Sequence, residues 1–433
     1  MIKPETFARR RRHLMDLAGP GSLVLVAAAP EKLRNGDTHY AYRQDSDFLY
    51  LTGFSEPDAV LALVPGRDSG EQILFCRERD PERERWDGPR MGLDGARDEL
   101  GMNDAFPFSD LDDILPGLME GRDRIYHMVG KEPAFDQRVI GWRSQLSRQK
   151  QNARGPGEFV SLEHLLHELR LIKSAEEIRA MRKAAEISAA AHRRAMTACR
   201  PGMNEAELAA ELVHEFLRHG CPPAYLPIVA GGDNALILHY VANNRPLPET
   251  GLVLIDAGCE QAGYAADISR TFPVSGKFSP AQRRVHEIVL AAQRAAIEQA
   301  RPDRPFEGIH AAAVEILTEG LIELGLLTGR LEENLEQETY RRFYMHKTGH
   351  WLGLDVHDVG DYRIDDQSRA LEKNMVTTVE PALYIGNDED IPAEFRGIAV
   401  RIEDDVRITD DEPEILSAAV PAEAGEVEAL MVR

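Results

Sequence analysis

Short apolar runs at 22–29, 47–52, 59–64 and 72–76 punctuate the first eighty residues and read as buried strands. Helical stretches lie around them, and a short basic helix precedes the first run. The pattern predicts an α/β N-terminal domain. Around 142–158 the periodicity fades into Arg, Gln, Gly and Pro ("WRSQLSRQKQNARGPGE"), which predicts a linker. The domain boundary falls between about 150 and 172, and the division is drawn at 1–172 and 173–433.

The second domain repeats one order of elements. Ser174 followed by Glu177 forms a capping box that opens a helix running towards Cys199. Arg200-Pro201 breaks it, and a second helix runs from about Asn204 to His219, stopped by Gly220. Strands follow, among them "LVLID" at 252–256. Ser279-Pro280 with Gln282 then opens another helix, Arg301-Pro302 breaks it, and a helix from about Phe306 ends near Gly325. Strands follow again. Two rounds of helix, helix, strands predict two similar halves facing each other, an internal pseudo-two-fold duplication.

Composition narrows the class. A chain of 433 residues with 43% hydrophobic and 29% charged residues is soluble, globular and too long for one ordinary core. The formal net charge of -22 argues against nucleic acid or an anionic membrane as partner, since both need a basic surface. Arg9–Arg12 followed by "SLVLVAAA" imitates a signal peptide, but Glu5, Asp16 and Gly19-Pro20-Gly21 interrupt it. No stretch approaches the ~20 apolar residues of a membrane span. Cys76, Cys199, Cys221 and Cys259 are dispersed, so neither a disulfide framework nor a thiolate zinc site is expected, and a reducing cytoplasm fits.

The chemistry begins where strands run into acids. "LVLID" ends in Asp256, and Asp267 follows a stretch of small residues. A hairpin turn in "CEQAGY" sets these acids opposite each other, with Cβ atoms ~4.5–5.5 Å apart. Carboxylates that close repel unless a proton or a cation lies between them. "MHKTGHWLGLDVHDVG", 345–360, holds His346, His350 and His357 among glycines that permit close backbone approach. It lacks the HExxH spacing of helical zinc proteases. "MVTTVEPALYI" runs into Glu380, as "LVLI" runs into Asp256. In "GIAVRIEDDV", Ile398, Val400 and Ile402 alternate with Arg401 and Glu403. If the second face lines a site, each half supplies two acids. Asp256, Asp267, Glu380, Glu403 and one histidine then balance two divalent ions. Oxygen-rich ligation with one imidazole suits Mn2+, with Co2+, Fe2+ or Zn2+ as alternatives, and a paired site of this kind is hydrolytic.

These motifs resemble the pita-bread metallopeptidase family, which includes methionine aminopeptidase, prolidase and aminopeptidase P. The resemblance rests on "ILHY" at 237–240, "LIDAG" and "YAADISRTFPV" within 254–274, "HWLGLDVHDVG" at 350–360, "TVEPALYI" at 378–385 and "RIEDD" at 401–405. "YRQDSDFLYLTGF", 42–54, is similar to the aminopeptidase P branch. The implied architecture is an α/β N-terminal domain followed by an α+β pita-bread catalytic domain. The resemblance makes Asp256 a ligand of one metal and Asp267 a bridging ligand. His350 and Glu380 bind the other metal, and Glu403 bridges. His239 and His357 line the substrate cleft, with His346 and Arg401 in support. Glu380 is the implied proton carrier.

The implied reaction releases the N-terminal residue from peptides with proline second, in the cytoplasm, by a homo-oligomer (dimer or tetramer). Proline preference follows from the resemblance and from nothing in the residues themselves. Ala382 stands where a glycine is common after Glu-Pro. Trp86 is expected in the core, or else as an apolar wall of the cleft. The rival readings are a prolidase, confined to Xaa-Pro dipeptides, a metal-free creatinase-like hydrolase and a non-enzymatic binding module.

Overall fold

The computed structural model describes residues 2–149 and 153–432. The chain divides into two compact units, Met1–Arg170 and Leu171–Arg433.

The first unit opens with helix α1 (Pro4–Ala18) and strand β1 (Ser22–Ala27). Then come α2 (Ser46–Thr52), β2 (Val60–Leu63), β3 (Gln72–Cys76), β4 (Asp104–Pro107) and α3 (Leu111–Met119). The unit ends with β5 (Arg124–His127), α4 (Pro133–Gln149), β6 (Glu158–Ser161) and a last helix, Glu163–Leu171. The six strands form one mixed sheet in the order β4-β3-β2-β1-β5-β6. Three expectations fail here. Residues 47–52 are helical, because Asp45 accepts the amides of Asp47 and Phe48 and Gly53 closes the turn with φ +67°. A six-residue apolar run carries no period that separates strand from buried helix. The expected linker is also partly structured: α4 runs to Gln149 and β6 pairs in parallel with β5. Val139, Trp142 and Leu146 keep helical spacing beneath a polar surface and join the core. Residues 150–152 of that stretch lie outside the described residues. Trp86 is 87% exposed, contrary to the core expectation, on a helical turn (Glu84–Asp87) among charged neighbours.

The second unit follows the expected order. Helices α5 (Ala175–Ala198) and α6 (Glu205–Arg218) start in capping boxes at Ser174 and Asn204. Strands β7 (Ile228–Gly231), β8 (Leu252–Asp256) and β9 (Ser269–Pro273) form an antiparallel sheet with β8 in the centre. Helices α7 (Pro280–Ile297) and α8 (Glu307–Glu323) open the second round, and a capping box at Ser279 starts α7. Strands β10 (Val376–Val379), β11 (Ala382–Ile385), β12 (Ile398–Arg401) and β13 (Asp404–Arg407) follow. β10 pairs with β13 and β11 with β12, both antiparallel. Leu171, Ile309, Trp351, Met375, Val379 and Val406 share one core behind the second round.

Two helix histidines are buried in this unit, and each leaves Nδ1 without a hydrogen-bond partner: His192 on α5 and His286 on α7. Burial pushes both imidazoles down to about 4. Between about pH 6.5 and 4 the unfolded chain takes up protons that the folded chain refuses. The stability each neutral ring contributes is therefore present above about pH 6.5 and lost as pH falls to about 4. That loss is on the order of 2–3 kcal/mol per ring. His286→Phe is expected to flatten the fall in Tm between pH 6.5 and 4.5; an unchanged slope would show that His286 does not contribute.

Candidate active site

The acids converge because four strands deliver them: Asp256 ends β8, Asp267 precedes β9, Glu380 follows β10 and Glu403 follows β12. β8 carries Asp256 out of the sheet, and the chain returns through a two-residue ladder in which Glu260 pairs with Ala265. The turn lies at Ala262-Gly263, both at positive φ, one residue beyond the expected centre. Asp256 consequently faces Ser269 rather than Asp267, so the acids are diagonal neighbours, not opposite ones. Gly258 allows the crossing, since a Cβ there would lie 1.7 Å from the Ala266 carbonyl oxygen. Gly349 does the same for the histidine segment, where a Cβ would lie 2.1 Å from the Thr378 carbonyl oxygen. His350 is thereby laid along β10, its amide donating to Thr378 Oγ1 at 3.1 Å.

A cavity of about 630 Å3 opens over these groups. Asp256, Asp267, Glu380, Glu403, His239, His346, His350, His357 and Arg401 all line it, so every site residue expected from sequence is brought to one place. Donor atoms of Asp267, His350 and Glu403 lie within 4.8 Å of one another. His350 Nε2 is 3.5 Å from Asp267 Oδ2 and 3.8 Å from Glu380 Oε1. Its Nδ1 lies 3.0 Å from the Trp351 carbonyl oxygen, which fixes the ring and leaves Nε2 facing the acids. The His357 ring packs against the His350 ring at 4.2 Å between centroids. His239 stands at the exposed edge.

Arg401 ties the halves together. It donates to Asp256 Oδ2 at 2.5 Å, to Ser269 Oγ at 2.9 Å and to the Tyr384 hydroxyl oxygen at 3.0 Å. Tyr384 lies 3.1 Å from His346 Nε2, and His346 Nδ1 lies 2.7 Å from the Lys347 carbonyl oxygen. This chain sets the His346 tautomer, with Nδ1 donating. Burial pushes the ring down to about 4, so its 3.7 Å approach to Glu380 is a contact of a neutral ring rather than an ion pair.

Four carboxylates, of which Asp267 and Glu403 are buried and Asp256 and Glu380 half-buried, surround the Arg401 guanidinium. Burial pushes Asp256 up to about 6 against the pull of Arg401, and Glu380 up to about 7 against His350 and Arg401. Burial and the neighbouring acids raise Glu403 well above the usual carboxylate range. Burial also opposes the charge on Asp267, but the bond and charge of His350, then Tyr225 and Arg401, outweigh it and hold this acid low. His350 rises to about 9 because the Asp267 and Glu380 carboxylates overcome its burial. An oxygen-rich donor set with this excess negative charge and one oriented imidazole fits divalent cations.

Sequence reasoning missed three members of the site. The Tyr225 hydroxyl lies 2.6 Å from Asp256 Oδ1 and 2.5 Å from Asp267 Oδ1 and has one proton to share between them. Ser269 holds Glu403 Oε2 at 2.7 Å, and Tyr384 joins Arg401 to His346. Ser269 and Tyr384 stood inside motifs already noted. Tyr225 sits among prolines in "CPPAYLP", which carries no periodic or ligand signal.

Comparison with known proteins agrees with this geometry. Residues 179–410 match metallopeptidase family M24, and residues 7–126 match the aminopeptidase P N-terminal domain. The chain is 46% identical to Xaa-Pro aminopeptidase of Escherichia coli K12 across 100% of this chain and 98% of that one. It is 45% identical to the Haemophilus influenzae Xaa-Pro aminopeptidase, covering 99% and 98%. The solved structure of Pseudomonas aeruginosa aminopeptidase PepP superposes with a TM-score of 0.98 at 53% identity, covering 99% and 98%. With both of its units matched in order and the pita-bread fold present in the second, this chain belongs to metallopeptidase family M24, in its aminopeptidase P branch.

Proposed function

We propose that this enzyme releases the N-terminal residue from peptides with proline in the second position, using two divalent ions, Mn2+ in the cell. One observation carries the reading: four carboxylates and His350, drawn from separate segments, face one solvent-open cavity. The names of the two bacterial relatives support the proline requirement. Asp256, Asp267, His350, Glu380 and Glu403 would hold the ions. When bound, such ions polarise the scissile carbonyl and make water a better nucleophile at neutral pH.

The remaining work falls to the chain itself. Glu380 moves a proton from the attacking water to the leaving proline nitrogen, since it lines the cavity beside the other acids and between two histidines. His239 and His357 stand at the cavity wall to orient the substrate by hydrogen bonds. Arg401 stays charged and holds Asp256 in place. Tyr384 and the Lys347 carbonyl oxygen fix the His346 ring, whose Nδ1–H is committed to Lys347 while Nδ1 lies 3.7 Å from Glu380. A cytoplasmic homo-oligomer completes the reading; the four free, buried cysteines suit a reducing compartment.

The test is turnover of Ala-Pro-Ala beside Ala-Pro, before and after chelation. Cleavage of the tripeptide, lost with EDTA and restored by Mn2+ at two ions per chain, is expected. Turnover of the dipeptide alone would make the enzyme a prolidase, and chelator-resistant activity would remove the metals from the mechanism.

A further inference from the structure

The cavity is graded in charge from floor to mouth. Three Lys or Arg side chains line it: Arg401, Arg363 and Lys347. Arg401 is buried and paired with Asp256. Arg363 is paired with Glu307 at 2.7 Å. Lys347 is exposed and has no ion-pair partner among the described residues. The nearby Glu338 is already engaged by Arg341 at 2.6 Å. Burial, then Lys347 and Arg341, push His310 on the same wall down to about 4, so no imidazolium competes there. Among the described residues, the mouth therefore offers the uncommitted positive charge of Lys347, and the floor offers acids.

We infer that Lys347 is a specificity-determining residue that selects substrates carrying a carboxylate just after the proline. This rests on the proposed aminopeptidase reading: with the scissile bond at Glu380 and the cationic N-terminal amine favoured by the floor acids, the rest of the peptide runs towards the open mouth. Lys347 follows His346, whose ring approaches Glu380 to 3.7 Å. A carboxylate two residues beyond the scissile bond lies ~7 Å along an extended chain, within the arc of a lysine beside that point. The ligand chemistry is a peptide carboxylate, either the C-terminus of a tripeptide or an acidic side chain in third position. A partly exposed pair of this kind favours the charged substrate roughly fivefold.

The experiment compares kcat/KM for Ala-Pro-Ala with Ala-Pro-Ala-NH2, and for Ala-Pro-Glu-NH2 with Ala-Pro-Gln-NH2. Wild-type enzyme is expected to favour the charged member of at least one pair roughly fivefold, mainly through KM, and less in 0.5 M NaCl. The favoured pair identifies the source of the carboxylate. Lys347→Met should bring the ratio towards one, and Lys347→Arg should retain it. A wild-type ratio near one in both pairs, or a ratio that survives Lys347→Met, overturns the assignment. Failure of wild-type enzyme to cleave any of the four peptides overturns the proposed function instead, and this inference with it.

Discussion

Asp267→Ala is expected to lower kcat/KM on Ala-Pro-Ala by at least ~10^3-fold while the apoprotein keeps its fold. Asp267 lies between His350 and Tyr225 and within 4.8 Å of a Glu403 donor atom, so it is the acid shared most widely in the site. Losing it removes charge stabilisation worth several kcal/mol in the transition state, and each 1.36 kcal/mol is tenfold in rate. The fold survives for an electrostatic reason. Asp267 raises both Asp256 and Glu403, so its removal relieves repulsion among these acids, which offsets the loss of its ion pair with His350. Tyr225 retains Asp256 as a partner. Thermal unfolding separates the two effects. Wild-type Tm should rise on adding Mn2+, by the equivalent of about 2.7 kcal/mol at free metal a hundredfold above Kd. In the variant, Tm in EDTA should match wild type within a few degrees and the Mn2+ increment should largely vanish. Full activity in the variant would remove Asp267 from the metal site.

Lys173→Met is expected to produce the largest loss of stability. Lys173 Nζ lies 2.9 Å from Asp358 Oδ2, and both side chains are 1% exposed. Asp358 follows His357, and its carboxylate lies where a Cβ on Gly353 would clash at 2.1 Å. The pair therefore clamps the loop that carries His350 and His357. Methionine fills the space but leaves the buried carboxylate without its cation, a loss of about 3–5 kcal/mol. Replacing both partners, as Lys173→Met with Asp358→Leu, should recover most of that, because a well-packed apolar pair is often as stable as a buried ion pair. Urea unfolding of the two variants measures this. If the single variant is as stable as wild type, the pair contributes nothing and the loop is held by its backbone bonds.

Much of the second unit was legible because its signals are local. The capping boxes at Ser174 and Ser279 and the stop at Gly220 each act within a turn of helix. The acids at the ends of apolar runs and the glycine-flanked histidines are likewise local patterns, and the fold brings them to one cavity. The errors fell where a signal was too short or masked. Residues 47–52 were too few for a period, and Trp142 and Leu146 lay beneath a polar helix face that reads as a linker. In the acid hairpin the turn centre is one residue beyond the midpoint, at Ala262-Gly263, where only Gly263 takes positive φ freely and Ala262 (φ +53°) gives no local signal.

The sequence by itself determined most of the second unit's helices and their caps, the two rounds of elements, and the acids and histidines that come to line the cavity, since each signal depends on neighbours within a few residues. The tertiary structure alone decided that Arg401 meets Asp256 across 145 positions and that Tyr225 joins Asp256 to Asp267. It also decided that, among the described residues, Lys347 at the mouth has no ion-pair partner while Arg363 and Arg401 are matched. Such contacts depend on how sheets and loops pack in space, and no periodicity along a chain encodes the distance between residues that only folding brings together.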